Sequence, residues 1–137
     1  MEDKQIKAGI KRNTLTPDEI MNTLFTMHKV AHYYHLQTTS YAQHKALDSL
    51  YDGLQNSKDA ICEYLLGIQA PRRFGALRTE NPPMFSDSNL NKFIDDGIEF
   101  SVNLCNYGKE KGWEQLTNLA SELQGLLVST KYLLTLK

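Results

Sequence analysis

Apolar residues in this chain recur at helical rather than strand spacing. Thr16 is suited to cap a helix, Pro17 fits its first position, and Asp18 and Glu19 set negative charge against the positive end of the helix dipole. From Ile20 through Leu24, Met27, Ala31 and Tyr34 the spacing alternates between four and three, which predicts a first helix over 17–36. The run Gln37 to Ser40 is rich in side chains that bond back to their own backbone, so it predicts a turn. A second helix is expected over 41–67, with Leu47, Leu50, Tyr51, Leu54, Ile61 and Leu65 inward and Gly67 as its C-terminal cap. Ser86 or Ser88 caps a third over 88–108, which turns Leu90, Phe93, Ile94, Ile98, Val102 and Cys105 inward and closes between Gly108 and Gly112. The fourth spans 113–136 from Trp113, with Leu116, Leu119, Leu123, Leu126 or Leu127, Thr130 and Leu134 as its stripe.

Residues 68–87 hold Pro71, Gly75, Pro82 and Pro83 and cannot be helical throughout. A connection of roughly 20 residues reaches about 60 Å, enough to cross the ~39 Å length of the second helix. The expected fold is therefore all-α, a ferritin-like four-helix bundle with a long crossover between its second and third helices. It forms one domain over 17–137, preceded by a basic arm over 1–16 that carries Lys4, Lys7, Lys11 and Arg12. The chain has 137 residues, and its 15 Lys and Arg against 16 Asp and Glu provide no global field for nucleic acid. DNA binding would have to come from the arm, and an anionic partner could also meet Arg72, Arg73 and Arg78. The absence of a long apolar run and of a signal-like start argues against a membrane partner and for a cytoplasmic protein. Cys62 and Cys105 lack metal or redox spacing and are expected to be core thiols.

His28, His32 and His35 fall within about 60° of arc on the first helix, beside Met21 and Phe25. This second face, distinct from the Ile20 stripe, implies a second packing partner. On the second helix His44 and Asp48 are four apart, as are Asp59 and Glu63, and each pair can reach one metal ion. The pairs lie about 16 Å apart along the axis, too far to share an ion within one chain. However, 44 with 63 and 48 with 59 share one midpoint, between Gly53 and Leu54. Two such helices crossing antiparallel about a two-fold axis near Gly53 would bring His44 and Asp48 of one copy against Asp59 and Glu63 of the other. Gly53 at that centre would permit close approach.

The spacing of His32, His44, Asp48, Asp59 and Glu63 (H-x11-H-x3-D-x10-D-x3-E) resembles the inter-subunit ferroxidase centre of the Dps proteins, a branch of the ferritin-like superfamily. The run His35-Leu36-Gln37-Thr38 also looks like that family's H-W-N-V run, so a loop shortened by three residues would make His35 the ligand in place of His32. The resemblance implies a homo-oligomer of at least two-fold symmetry that binds iron and oxidises Fe(II) with peroxide or O2. The segment from His35 to Leu47 and the ending Thr130 to Lys137 also look like small helical proteins of tailed phages and large DNA viruses. That implies the alternative of a non-enzymatic structural or partner-binding bundle. Tyr33, Tyr34, Tyr41 and Tyr51 are candidate electron donors near the site, although aromatics at helical spacing also serve a core. Phosphate-loop, dinucleotide, nucleophile-elbow and zincin motifs are absent.

Overall fold

The computed structural model describes residues 15–69 and 73–137. Arm residues Lys4, Lys7, Lys11 and Arg12, with Arg72 of the connection, lie outside the described residues. Four α-helices follow in order, α1 (Pro17–Gln37), α2 (Tyr41–Ile68), α3 (Asp87–Lys111) and α4 (Glu114–Leu133), and no strand occurs among the described residues. No helix among those residues is long and apolar enough to cross a membrane.

Local chemistry sets the boundaries. Thr16 and Glu19 form a reciprocal capping box, with Glu19 N–H donating to Thr16 Oγ1 at 3.2 Å and Thr16 N–H to Glu19 Oε1 at 3.1 Å. Leu15 packs against the core, so Leu15 and Thr16 belong to the bundle rather than to the arm. Ser40 caps α2 and Ser86, not Ser88, caps α3. Gly67 is not the cap expected of it: α2 continues through Ile68 and ends at Gln69, whose N–H bonds Leu65 O. Gly112 ends α3 with φ +73°, the left-handed conformation that glycine adopts without steric cost.

The α1 and α2 stripes pack as their spacing predicts, with Ile20, Leu24, Ala31, Tyr34, Leu47, Leu50, Leu54, Ile61 and Leu65 at most 1% exposed. On α3 the expected face is displaced. Val102 is 41% exposed, and Ile98 and Cys105 are only half-buried. The buried series is Leu90, Ile94, Gly97, Ser101, Leu104, Tyr107 and Gly108, a helical stripe in which three of the seven positions are small. Small residues let α3 come close to its neighbours. A Cβ on Gly97 would stand 3.1 Å from Met27 Cε and 3.2 Å from Leu127 Cδ1, and one on Gly108 would stand 3.0 Å from Thr117 N.

Antiparallel pairs α1/α2 and α3/α4 form the bundle, and α2 packs on α4. Residues 73–86 run along α1 in its own direction. Gly75 N–H donates to Asp18, Arg78 N–H to Asn22 and Glu80 N–H to Thr26, at 3.2, 2.8 and 3.1 Å. Lys29 Nζ then reaches Thr79 Oγ1 at 2.9 Å, and Tyr34 O–H donates to Pro83 O at 3.0 Å. Asp18, Asn22 and Thr26 are four apart, one polar stripe that supplies an acceptor at each turn of α1. The connection thus delivers α3 to the end where α2 begins, where Gln43 Nε2 donates to Asp87 Oδ1 at 3.0 Å.

The packing predicts opposite outcomes for two glycines. Gly108→Ala should lower stability by about 1–3 kcal/mol, because the new methyl meets Thr117 Oγ1 at 2.7 Å and, behind it, the backbone at Thr117 N and Trp113 O, which cannot yield. Gly125→Ala, exposed within α4 and facing open space, should raise it by about 0.5–1 kcal/mol. Asn22→Ala should cost about 0.5–1.5 kcal/mol through the lost bond to Arg78 N–H. Urea denaturation midpoints of the three variants check the signs.

Candidate functional site

The histidine face of α1 meets α2 and forms a column of rings. Tyr51 is held face to face between His28, at 4.6 Å and 4°, and His32, at 4.3 Å and 19°. His35 follows 6.3 Å from His32, and stacks on His44 at 3.9 Å. At the other end Lys58 Nζ lies 3.3 Å from His28 Nδ1 and 4.3 Å above the Phe25 ring. The second face of α1 is therefore occupied within the chain, by Tyr51, Lys58 and His44 of α2. Tyr51, expected in the core, is half-buried: it packs against the core and also takes its place in the column. Lys58 carried no sequence signal, since only the packing of α2 on α1 sets it beside Phe25 and His28.

His35 and His44 are locked reciprocally. His35 Nδ1 lies 3.0 Å from His44 O, and His44 Nδ1 lies 2.9 Å from His35 O. A carbonyl can only accept, so each Nδ1 carries its proton and donates, which leaves Nε2 of the neutral ring as a lone-pair donor. The short turn over Thr38 to Ser40 makes this exchange possible by folding α2 back where α1 ends. His32 is exposed and stacked on Tyr51, with no hydrogen bond among the described residues.

The carboxylates stand on the adjoining outer face of α2. Asp48 is half-buried, whereas Asp59 and Glu63 are exposed. Among the described residues no hydrogen bond or ion pair engages any of the three, and no three His, Cys, Asp or Glu side chains converge to hold a metal ion. The structure thus joins His35 to His44 and leaves Asp59 and Glu63 apart from them. Gly53 does not open this face. A Cβ there would stand 2.7 Å from Leu126 Cδ2, so its space is filled by α4, and Leu54 is fully buried.

The other tyrosines named from sequence have different surroundings. Tyr34 is buried, makes edge contacts with Phe85 and Phe93, and has its phenol pushed above its ordinary pKa by burial. Tyr41 is 76% exposed. Cys62 is a buried thiol pushed up to about 11, chiefly by burial. Cys105 is half-buried, with Sγ 3.9 Å from Ser121 Oγ. A cavity of about 370 Å³ lies between α1, the 78–83 segment and α3, floored by Met27, Val30, Tyr34, Phe93 and Phe100. Its walls come from three separated stretches, so no single window of sequence announces it.

Burial first, then the charges of Lys58 and His32, hold the His28 imidazole below its ordinary pKa. Its Nε2 is buried without a hydrogen-bond partner among the described residues. The unfolded chain therefore takes up this proton before the folded one does. Stability from this residue is complete above about pH 6.5 and is lost as pH falls through that value toward the folded-state pKa. His28→Phe keeps the stack and removes the titration. Its denaturant midpoint should fall less than that of wild type between pH 7.5 and pH 5, with no loss at pH 7.5.

No curated protein and no solved structure matches the chain. Residues 35–134 match a family of unknown function, DUF5856, a span that starts at His35 and takes in His44, Asp48, Asp59 and Glu63. With most of its length inside that match, the chain belongs to the DUF5856 family of unknown function.

Proposed function

We propose that this protein is a Dps-like member of the ferritin-like superfamily that takes Fe(II) as substrate at sites completed by a second copy and oxidises it. The reciprocal locking of His35 and His44 carries the reading. Metal-binding imidazoles commonly donate their second ring N–H to a carbonyl, which fixes the tautomer and raises the basicity of the ligating nitrogen. Further support comes from Asp48, Asp59 and Glu63, which stand on one outer face of α2 without hydrogen-bond or ion-pair partners among the described residues. The course of residues 73–86 along α1 supports the ferritin-like helix order with its long crossover.

In this reading His35, His44 and Asp48 offer two nitrogens and a carboxylate from one copy, and Asp59 and Glu63 offer carboxylates from the other. The nitrogens suit Fe(II), while hard carboxylate oxygens favour the Fe(III) product. Each Fe(II) surrenders one electron to O2 or peroxide. The stacking of His35 on His44 supports His35 as the imidazole that works with His44, with His32 tied to Tyr51.

Anaerobic Fe(II) loading tests the site. Asp59→Ala/Glu63→Ala and His44→Ala/Asp48→Ala homodimers should each keep almost no iron, because every site loses two ligands. The mixed dimer gathers all four lesions in one site and should keep about half of the wild-type iron. His35→Ala should lose iron oxidation and His32→Ala should retain it. A wild type that binds no Fe(II) would overturn the proposal.

A second reading, a non-enzymatic partner-binding bundle, rests on Leu36, Tyr41, Met84, Tyr132 and Leu136. These are 47–80% exposed, and all sit where α1 and α4 end and α2 and α3 begin. It gains if wild type and all variants prove equally free of iron.

A further inference from the structure

We infer that a divalent cation switches the pairing of two copies through the outer face of α2, so that the copies separate when the metal is removed. The inference rests on the shared-site reading above and adds regulation to it. At 100° per residue, His44, Asp48, Asp52, Gln55, Asp59 and Glu63 all fall within about 100° of arc. Asp52, Gln55, Asp59 and Glu63 are exposed, and His44 and Asp48 are half-buried. Antiparallel pairing about the shared midpoint sets 44 against 63, 48 against 59 and also 52 against 55. The residues nearest the axis are then Asp52 and Gln55, not Gly53, which faces Leu126.

These three pairs are polar throughout, and the same midpoint sets Tyr41 against Leu66 toward the helix ends. Each copy brings four carboxylates, Asp48, Asp52, Asp59 and Glu63, and among the described residues none has a hydrogen-bond or ion-pair partner. The lysines of this stretch offset little of that charge: Lys58 is turned to His28 and Phe25, which leaves Lys45 at the edge. Apolar burial offers little drive either. Of the large apolar side chains that are exposed, Tyr41 alone falls within this arc, at the first residue of α2, where it would meet only the half-buried Leu66 of the other copy. Two metal-free copies would therefore bring like charges together with little hydrophobic gain. A cation set between the imidazole pair of one copy and the Asp59/Glu63 pair of the other removes that repulsion and supplies bonds across the interface. Because it binds the paired state alone, it shifts the equilibrium by mass action.

Sedimentation velocity of the full chain at micromolar concentration, in EDTA and across a Mn²⁺ titration, tests this, with bound Mn²⁺ read in parallel by electron paramagnetic resonance. Wild type should sediment as a monomer in EDTA and at least as a dimer with Mn²⁺. Asp52→Asn leaves every proposed ligand in place and removes one charge per copy near the axis, so pairing should need about three- to tenfold less Mn²⁺. Asp59→Asn/Glu63→Gln should sediment alike with and without Mn²⁺. A dimer of unchanged amount in EDTA and in Mn²⁺, with Mn²⁺ bound, would overturn the switch and leave the shared site standing. Mn²⁺ bound to a persistent monomer, or not bound at all, would overturn the shared site itself and the switch with it.

Discussion

The hydrogen bonds that α1 extends to the backbone of residues 73–86 decide how the other helices are arranged. A segment without helix or strand has peptide groups that need partners, and Asp18, Asn22 and Thr26 supply acceptors to three of its N–H groups. Because these acceptors climb α1 turn by turn, the segment travels the length of the helix instead of looping back. Helix α3 then starts beside the start of α2, and α4 returns against α2. A single net bond of this kind contributes only about 1 kcal/mol, so the stripe acts mainly by choosing among arrangements that bury similar apolar area.

With that order set, α1 is occupied on three sides. Ile20, Leu24 and Ala31 face the core, the connection covers a second side, and the imidazoles meet α2 on the third. The side toward α3 stays open enough for the 370 Å³ cavity beside Tyr34 and Phe93. Close approach is found where α4 meets its neighbours, with Gly53 of α2 against Leu126, and Gly97 and Gly108 of α3 against Leu127 and Thr117.

The polar face of α1 and α2 concentrates the chemistry of the molecule. The short α1/α2 turn sets two imidazoles in mutual contact and in one tautomer, while Tyr51 and Lys58 order His28 and His32 further along. Among the described residues the carboxylates beyond them stand without hydrogen-bond or ion-pair partners, although an ordinary solvated helix face would be expected to draw some of them into pairs with neighbouring lysines. Here Lys58 is drawn aside by the Phe25 ring and His28.

By itself the sequence determined the existence of four helices, most of their boundaries, and the core faces of α1, α2 and α4, because large apolar residues at helical spacing have only one stable way to leave water. It also carried the spacing of His44, Asp48, Asp59 and Glu63, which depends on helix geometry alone. The face of α3 was misjudged because Gly97, Ser101 and Gly108 bury little area and leave hardly any hydropathic trace, although they set how closely helices approach. Gly67 looked like a cap because a glycine can end a helix, yet it need not. Only the tertiary structure paired His35 with His44, withdrew Gly53 toward Leu126 and seated Tyr51 between two imidazoles. Those outcomes depend on which helices become neighbours and how closely they approach, and these are settled by packing between residues far apart in the chain.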